Sequence, residues 1–211
     1  MRSVRSFVAI ECPEGIKKEI QKIQQELRAV MEDSFRTNVR GVSWVHPDGF
    51  HLTLKFLGPV TEDRLPKITE AVGRVAASFS PFTVSVEGVG VFPNTRVPRV
   101  IWIGAKAEGD VLARFQGRVE EVLDPLGFPR ENRSFHPHLT LGRIKSERRD
   151  TDFQQLGDTL AKWLVENQQR ACGQFEAKEV LLMKSDLQPG GAVYTPLATL
   201  RLAIGSERAT L

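Results

Sequence analysis

This chain of 211 residues has no long hydrophobic run, only two cysteines, only four histidines and little excess charge. Its longest apolar stretches are a handful of residues, against the roughly 20 needed for a helix to cross a bilayer, so a membrane-spanning helix is excluded. Cys12 and Cys172 stand alone, with no C-x-x-C pair, and both read as reduced thiols rather than as a disulfide framework. The basic start runs into an apolar stretch that Glu11 and Pro13 cut short. That pattern suits a strand better than a signal peptide, and the cytoplasm is the expected location.

A net charge of +3 and an isoelectric point near 9.0 are compatible with an anionic ligand but do not specify one. The remaining 41% apolar and 26% charged composition is that of ordinary soluble globular material. The placement of charge says more. Arg130, Arg133, Arg143, Lys145, Arg148 and Arg149 gather around one short motif, with Arg148 and Arg149 reading as solvated loop.

That motif is His138-Leu139-Thr140-Leu141, and it repeats His51-Leu52-Thr53-Leu54, 87 residues earlier. In an extended strand, alternate side chains share a face. Each copy therefore puts two leucines in the core and presents an imidazole with a hydroxyl on the other side. One such tetrapeptide is weak evidence; the duplication demands a shared role.

The surrounding pattern predicts an internal structural repeat. Ser3 to Ile10 alternates as a strand, and Ile16, Ile20, Ile23, Leu27, Val30 and Met31 stripe a helix opened by Pro13. Gly41 to Val45 resumes strand character, Pro47-Asp48-Gly49 is a turn, and Phe50 to Leu57 carries the first motif, ended by Gly58-Pro59. Leu65, Ile68, Val72, Val75 and Phe79 mark a second helix. Phe82 to Phe92 is a strand whose apolar face switches across Gly88, which calls for a bulge. After a loop from Pro93 to Pro98 the order restarts: a strand from Arg99 to Ala105, a helix striped by Val111, Leu112, Phe115, Val119, Val122, Leu123 and Leu126, and a motif strand from Phe135 to Ile144. A helix bearing Phe153, Leu156, Leu160, Trp163 and Leu164 follows, then strands from Phe175 to Leu187 and Val193 to Ile204. The expected architecture is α+β, one bilobal domain over 1–211 with pseudo-repeats at about 1–92 and 99–204. Each lobe has an antiparallel-rich sheet and two helices, with a central cleft between the motif strands.

Two histidines flanking a phosphorus atom can divide the work of hydrolysis. A neutral one takes a proton from water while a protonated one gives a proton to the departing oxygen, and an unperturbed pKa of about 6.5 suits both roles. Threonine hydroxyls on the same faces can donate to the non-bridging phosphoryl oxygens. No cofactor, metal or covalent intermediate is required.

The paired His-x-Thr-x motifs, with Phe7-Val8-Ala9-Ile10, Lys55-Phe56-Leu57-Gly58, Gly142-Arg143, Leu182-Met183-Lys184-Ser185-Asp186-Leu187 and Tyr194, resemble the 2H phosphoesterase superfamily. Within it, the chain is most similar to the 2′-5′ RNA ligase family, also called RNA 2′,3′-cyclic phosphodiesterases. The resemblance covers essentially the whole chain. It implies hydrolysis of an RNA terminal 2′,3′-cyclic phosphate to a 2′-phosphate, with 2′-5′ joining or cleavage of tRNA halves in some members. It also implies His51 and His138 as the catalytic pair, Thr53 and Thr140 as phosphate binders and Arg143 as an added charge on that phosphate. His51 is taken as the acid and His138 as the base. Substrates would be RNA ends, tRNA fragments among them, or small cyclic nucleotides, handled by a monomer.

Phe7 and Phe56 are candidates for stacking a nucleobase, against a competing role in core packing. Trp44, Trp102 and Trp163 are assigned to packing, and His46 and His136 to structural places beside the motifs. Two rival functions stand. One is a metal-dependent hydrolase in which His136, His138 and His51 ligate the ion, which leaves the threonines unexplained. The other is a non-catalytic module that holds a nucleotide or RNA end in the same cleft.

Overall fold

The computed structural model describes residues 2–35, 42–144, 150–188 and 191–203. In order they form β1 (Ser3–Glu11), α1 (Glu14–Phe35), β2 (Val42–Trp44), β3 (His51–Thr61), α2 (Leu65–Ala76), β4 (Phe82–Phe92), β5 (Val100–Ala107), α3 (Val111–Leu123), β6 (His138–Ile144), α4 (Asp150–Asn167), β7 (Ala171–Ala177), β8 (Glu179–Gln188) and β9 (Gly191–Arg201). Two antiparallel sheets result, one ordered β3-β1-β8-β9 and the other β2-β6-β5-β4-β7. The fold is two-lobed and α+β. Gly41, Lys145, Arg148, Arg149, Pro189, Gly190, Ile204 and the side chain of Phe153 lie outside the described residues.

The lobes are not the two halves of the sequence. From its motif strand inward, each sheet runs motif strand, leading strand, then two more: β3, β1, β8, β9 in one and β6, β5, β4, β7 in the other. Thus β4, from the first half, pairs with β5 of the second, while β8 crosses back to pair with β1. The helices cross as well. α2 and α3 pack on each other and on the first sheet, whereas α1 and α4 pack on each other and on β7 and β4 of the second. One continuous core, from Val8 and Leu52 to Ile103 and Leu139, joins both sheets. Periodicity identifies each element's apolar face but not the element that will cover it, so the crossing is invisible in the pattern.

Three boundaries differ from expectation for local reasons. β3 continues through Gly58-Pro59, because a bulge places Leu57 opposite no partner and Gly58 takes φ +68. Pro59 is tolerated because β3 is an edge strand, so its missing N–H breaks no ladder on the open side. The single strand expected from Phe175 to Leu187 is two, β7 and β8, and Lys178 between them carries the chain from one sheet to the other. Both strands bury apolar residues, so the hydrophobic pattern runs on through the break. β6 begins at His138 rather than Phe135, since Pro137 precedes it. The bulge expected at Gly88 is present, between Glu87 and Val89.

Candidate active site

Both motif strands are bulged at the same place. Thr53 pairs with Ala9 and Lys55 with Val8, leaving Leu54 as the extra residue; Thr140 pairs with Trp102 and Gly142 with Ile101, leaving Leu141. A bulge shifts the following residue to the other face. Lys55 and Gly142 are accordingly buried instead of continuing the His/Thr face. In β3 this sends the Lys55 ammonium inside, where it donates to Glu120 Oε2 at 2.5 Å and to the Pro129 carbonyl at 2.6 Å. In β6 it brings Gly142 under the Trp44 ring, where a Cβ would stand 2.9 Å from the indole.

Each bulged carbonyl is held by a glutamine from the other half of the chain. Gln24 Nε2, on α1, donates to the Leu141 carbonyl and to that of Val45, both at 2.8 Å. Gln116 Nε2, on α3, donates to the Leu54 carbonyl at 3.4 Å and to Glu120 Oε1 at 3.0 Å. A buried glutamine on an otherwise apolar helix stripe is the signal that reading the sequence passed over.

With Leu52, Leu54, Leu139 and Leu141 buried, the His/Thr faces are left toward a cleft of about 630 Å³. Its wall includes His51, Thr53, Phe56 and Phe7 from one sheet and Thr140, Arg143, Trp44 and His46 from the other side. His138 stands two residues before Thr140 on the same strand face. The Arg143 guanidinium is close enough to oppose protonation of both His51 and His138, so one cation serves both imidazoles.

The imidazoles are set alike. His138 Nδ1 donates to the carbonyl of His136 at 2.6 Å, and the backbone of Gly49, also two residues upstream, favours the protonated His51 ring in the same way. A carbonyl can only accept, so Nδ1 of His138 carries the proton and Nε2 is free as a base in the neutral ring. Both rings are backed by aromatics. Phe7 lies 4.7 Å from His51 and Tyr194 meets it edge-on at 4.8 Å; Phe92 meets His138 edge-on at 5.1 Å. Burial is the main reason that His51 is lowered to about 4, with the Gly49 carbonyl opposing and Arg143 adding to it. His138 is lowered too, again chiefly by burial, with the His136 carbonyl opposing.

His51 thus stays neutral in the folded protein where the unfolded chain would protonate it. Stability is fully present above the ordinary histidine pKa of about 6.5 and declines as pH falls from there toward 4. Denaturant midpoints measured from pH 7 to pH 4 should fall less steeply for His51→Asn than for the unaltered protein; equal slopes would refute this.

The other sequence candidates divide. Phe7 is 2% exposed and packs with Ala9, Leu181, Met183 and Tyr194 beneath the cleft, whereas Phe56 is 54% exposed on its rim. Phe56 is therefore no core residue. Trp44 is not packing alone, since it also forms cleft wall, while Trp163 is buried and Trp102 sits against Phe92. His46 caps the Pro47–Gly49 turn through Nδ1 and faces the cleft. His136 contributes its carbonyl to His138 and is not part of the strand. Among the described residues, no three His, Cys, Asp or Glu side chains cluster closely enough to hold a metal ion. Cys12 and Cys172 are buried free thiols, each pushed up to about 12 by burial.

The repeat has a counterpart in family comparison: the model of the LigT-like phosphoesterases matches this chain twice, at residues 10–102 and 103–194. The chain belongs to that family. It is 38% identical to the RNA 2′,3′-cyclic phosphodiesterase of Archaeoglobus fulgidus, covering 92% of this chain and 98% of that one. It is 34% identical to the protein of the same name from Methanothermobacter thermautotrophicus, covering 94% and 99%. Among solved structures, a Thermus thermophilus protein superposes with a TM-score of 0.74 at 28% identity over 96% of this chain and all of that one. E. coli LigT complexed with 3′-AMP shares the fold, with a TM-score of 0.71 at 23% identity over 95% and 99%.

Proposed function

We propose that this protein hydrolyses the 2′,3′-cyclic phosphate at an RNA end to a 2′-phosphate, using His51 and His138 as the proton-transfer pair. The observation that carries the proposal is the pair of equivalent His-x-Thr faces served by one guanidinium, Arg143. The relatives named RNA 2′,3′-cyclic phosphodiesterase, aligned over nearly their whole length, support the substrate class.

In the reaction, water attacks phosphorus and the bond from phosphorus to O3′ breaks. His138 Nε2 takes the water proton, and protonated His51 gives a proton to O3′. Thr53 and Thr140 donate to the non-bridging oxygens, and Arg143 offsets their charge. Burial and the Arg143 charge disfavour protonation of both rings in the free protein. A bound phosphate anion reverses this; Glu11, registered opposite His51, raises that ring while its ion-pair partner Lys17 lowers it, and the acid role is given to His51 as the reading to be tested. His138 has the His136 ring opposing it instead. A 5′-hydroxyl in place of water yields a 2′-5′ linkage through the same steps. All of these residues come from one chain, which suits a monomer.

With chelator present, an RNA ending in a 2′,3′-cyclic phosphate should be converted to the 2′-phosphate. A 3′-phosphate product, or loss of activity restored by zinc, would overturn the scheme. Tight binding without turnover would favour a binding module. The acid assignment is tested by a substrate with sulfur at the 3′ bridging position, whose leaving group needs no proton. It should restore most of the rate to His51→Ala and little to His138→Ala, and the opposite pattern would exchange the two roles.

A further inference from the structure

We propose that the cleft holds a second phosphate, the one on the 5′-oxygen of the nucleoside that bears the cyclic phosphate, and that Arg5, Ser185 and Tyr194 recognise it. This rests on the reading of the site as a cyclic phosphodiesterase. Arg5 and Phe7 are two apart on β1 and share its cleft face, and Phe7 lies against His51. On β8, Met183 is the partner of Phe7, and Ser185 stands two residues farther along. Tyr194, on β9, is registered with Ser185. Three neighbouring strands therefore present a guanidinium and two hydroxyls in a row, and all three residues line the cleft.

The row has the composition and placement of a phosphate site. Among the described residues, none of these three side-chain polar groups has a hydrogen-bond or ion-pair partner within the protein. Among the described residues that line the cleft there is no aspartate or glutamate, so none of them neutralises Arg5. A cyclic phosphodiester carries a single negative charge, which Arg143 already meets; Arg5 is a second, surplus positive charge in the same cavity. The two sites are one side chain apart. The Tyr194 ring is 4.8 Å from His51, while burial raises the Tyr194 hydroxyl and both Arg143 and Arg5 pull it back. Two strand residues, about 7 Å, separate Arg5 from Phe7 along the cleft, a step suited to the next phosphate of a chain.

This phosphate is present in any RNA end of two or more nucleotides and in a 5′-phosphorylated nucleoside 2′,3′-cyclic phosphate, and absent from the plain nucleoside 2′,3′-cyclic phosphate. Initial rates on these three compounds, the first as a dinucleotide, test the proposal. Charge-assisted recognition of one phosphate should make kcat/KM about tenfold or more higher for both phosphate-bearing substrates than for the plain one. Arg5→Gln should collapse that ratio toward unity, Arg5→Lys should retain part of it, and the ratio should shrink as salt is raised. Equal kcat/KM for all three substrates, an advantage confined to the dinucleotide, or a ratio that survives Arg5→Gln would overturn the second site and leave the hydrolysis reading standing. No turnover of any of the three by the unaltered protein would overturn that reading and this proposal with it.

Discussion

Replacing His51 or His138 by alanine should each lower kcat on a cyclic-phosphate RNA by about 10³-fold, within the range a positioned general acid or base contributes. The double variant should be little worse than either single one, because proton removal and delivery belong to one transition state. Neither change should unfold the protein, since both residues are only partly buried and the core positions of the two strands are their leucines. Far-ultraviolet circular dichroism and a denaturant titration would establish that the loss is chemical. In the proposed mechanism Thr53 and Thr140 hold the same phosphate from two strands. Loss of either histidine should therefore spare binding of a 2′-phosphate product, measured by calorimetry. A single variant retaining more than a tenth of the normal rate would remove that histidine from the mechanism.

The second large effect concerns stability. Lys55 and Glu120 have side chains only 3% and 7% exposed, and Glu120 also accepts from Gln116 and from the Glu131 backbone N–H at 3.2 Å. Glu120→Ala leaves a buried ammonium and two amide N–H donors without the carboxylate that accepts from them. The expected cost is about 3–5 kcal/mol, a large share of the stability of an ordinary domain. Urea denaturation of Glu120→Ala reads this directly. Replacing both partners, Lys55→Met with Glu120→Leu, should recover most of the loss, because the penalty comes from the stranded charge rather than from the pair. A loss below about 1 kcal/mol would show that water reaches Lys55.

Much of the candidate site's geometry was legible because its pattern is local and repeated. A strand period of two separates His51 and Thr53 from Leu52 and Leu54 without reference to the rest of the chain, and Arg143 follows its motif closely. What stayed hidden depends on contacts that sequence spacing does not encode. The bulges at Leu54 and Leu141 break the alternation just past the tetrapeptide, which is why Lys55 looks like a surface residue and is not. Gln24 and Gln116 look like polar interruptions of apolar stripes until the carbonyls they hold are known. Phe7 and Phe56 are the same residue type on adjacent strands, yet one is backing and the other rim, a difference set by the β8–β9 hairpin that covers only Phe7. The crossing of β4 and β8 between sheets had no periodic signature at all.

The reciprocal clamp has a consequence for how the molecule comes into being. Gln24 and the carbonyl it holds on Leu141 are 117 residues apart, and Gln116 and Leu54 are 62 apart. Contacts of such separation require large loops to close, an entropic cost that has to be met before either clamp can form. A nascent chain that has emerged only as far as the first tetrapeptide holds a histidine and a threonine on an unsupported edge. Gln116 and Leu141 both lie far downstream of that tetrapeptide, so neither clamp can close on a chain that ends there.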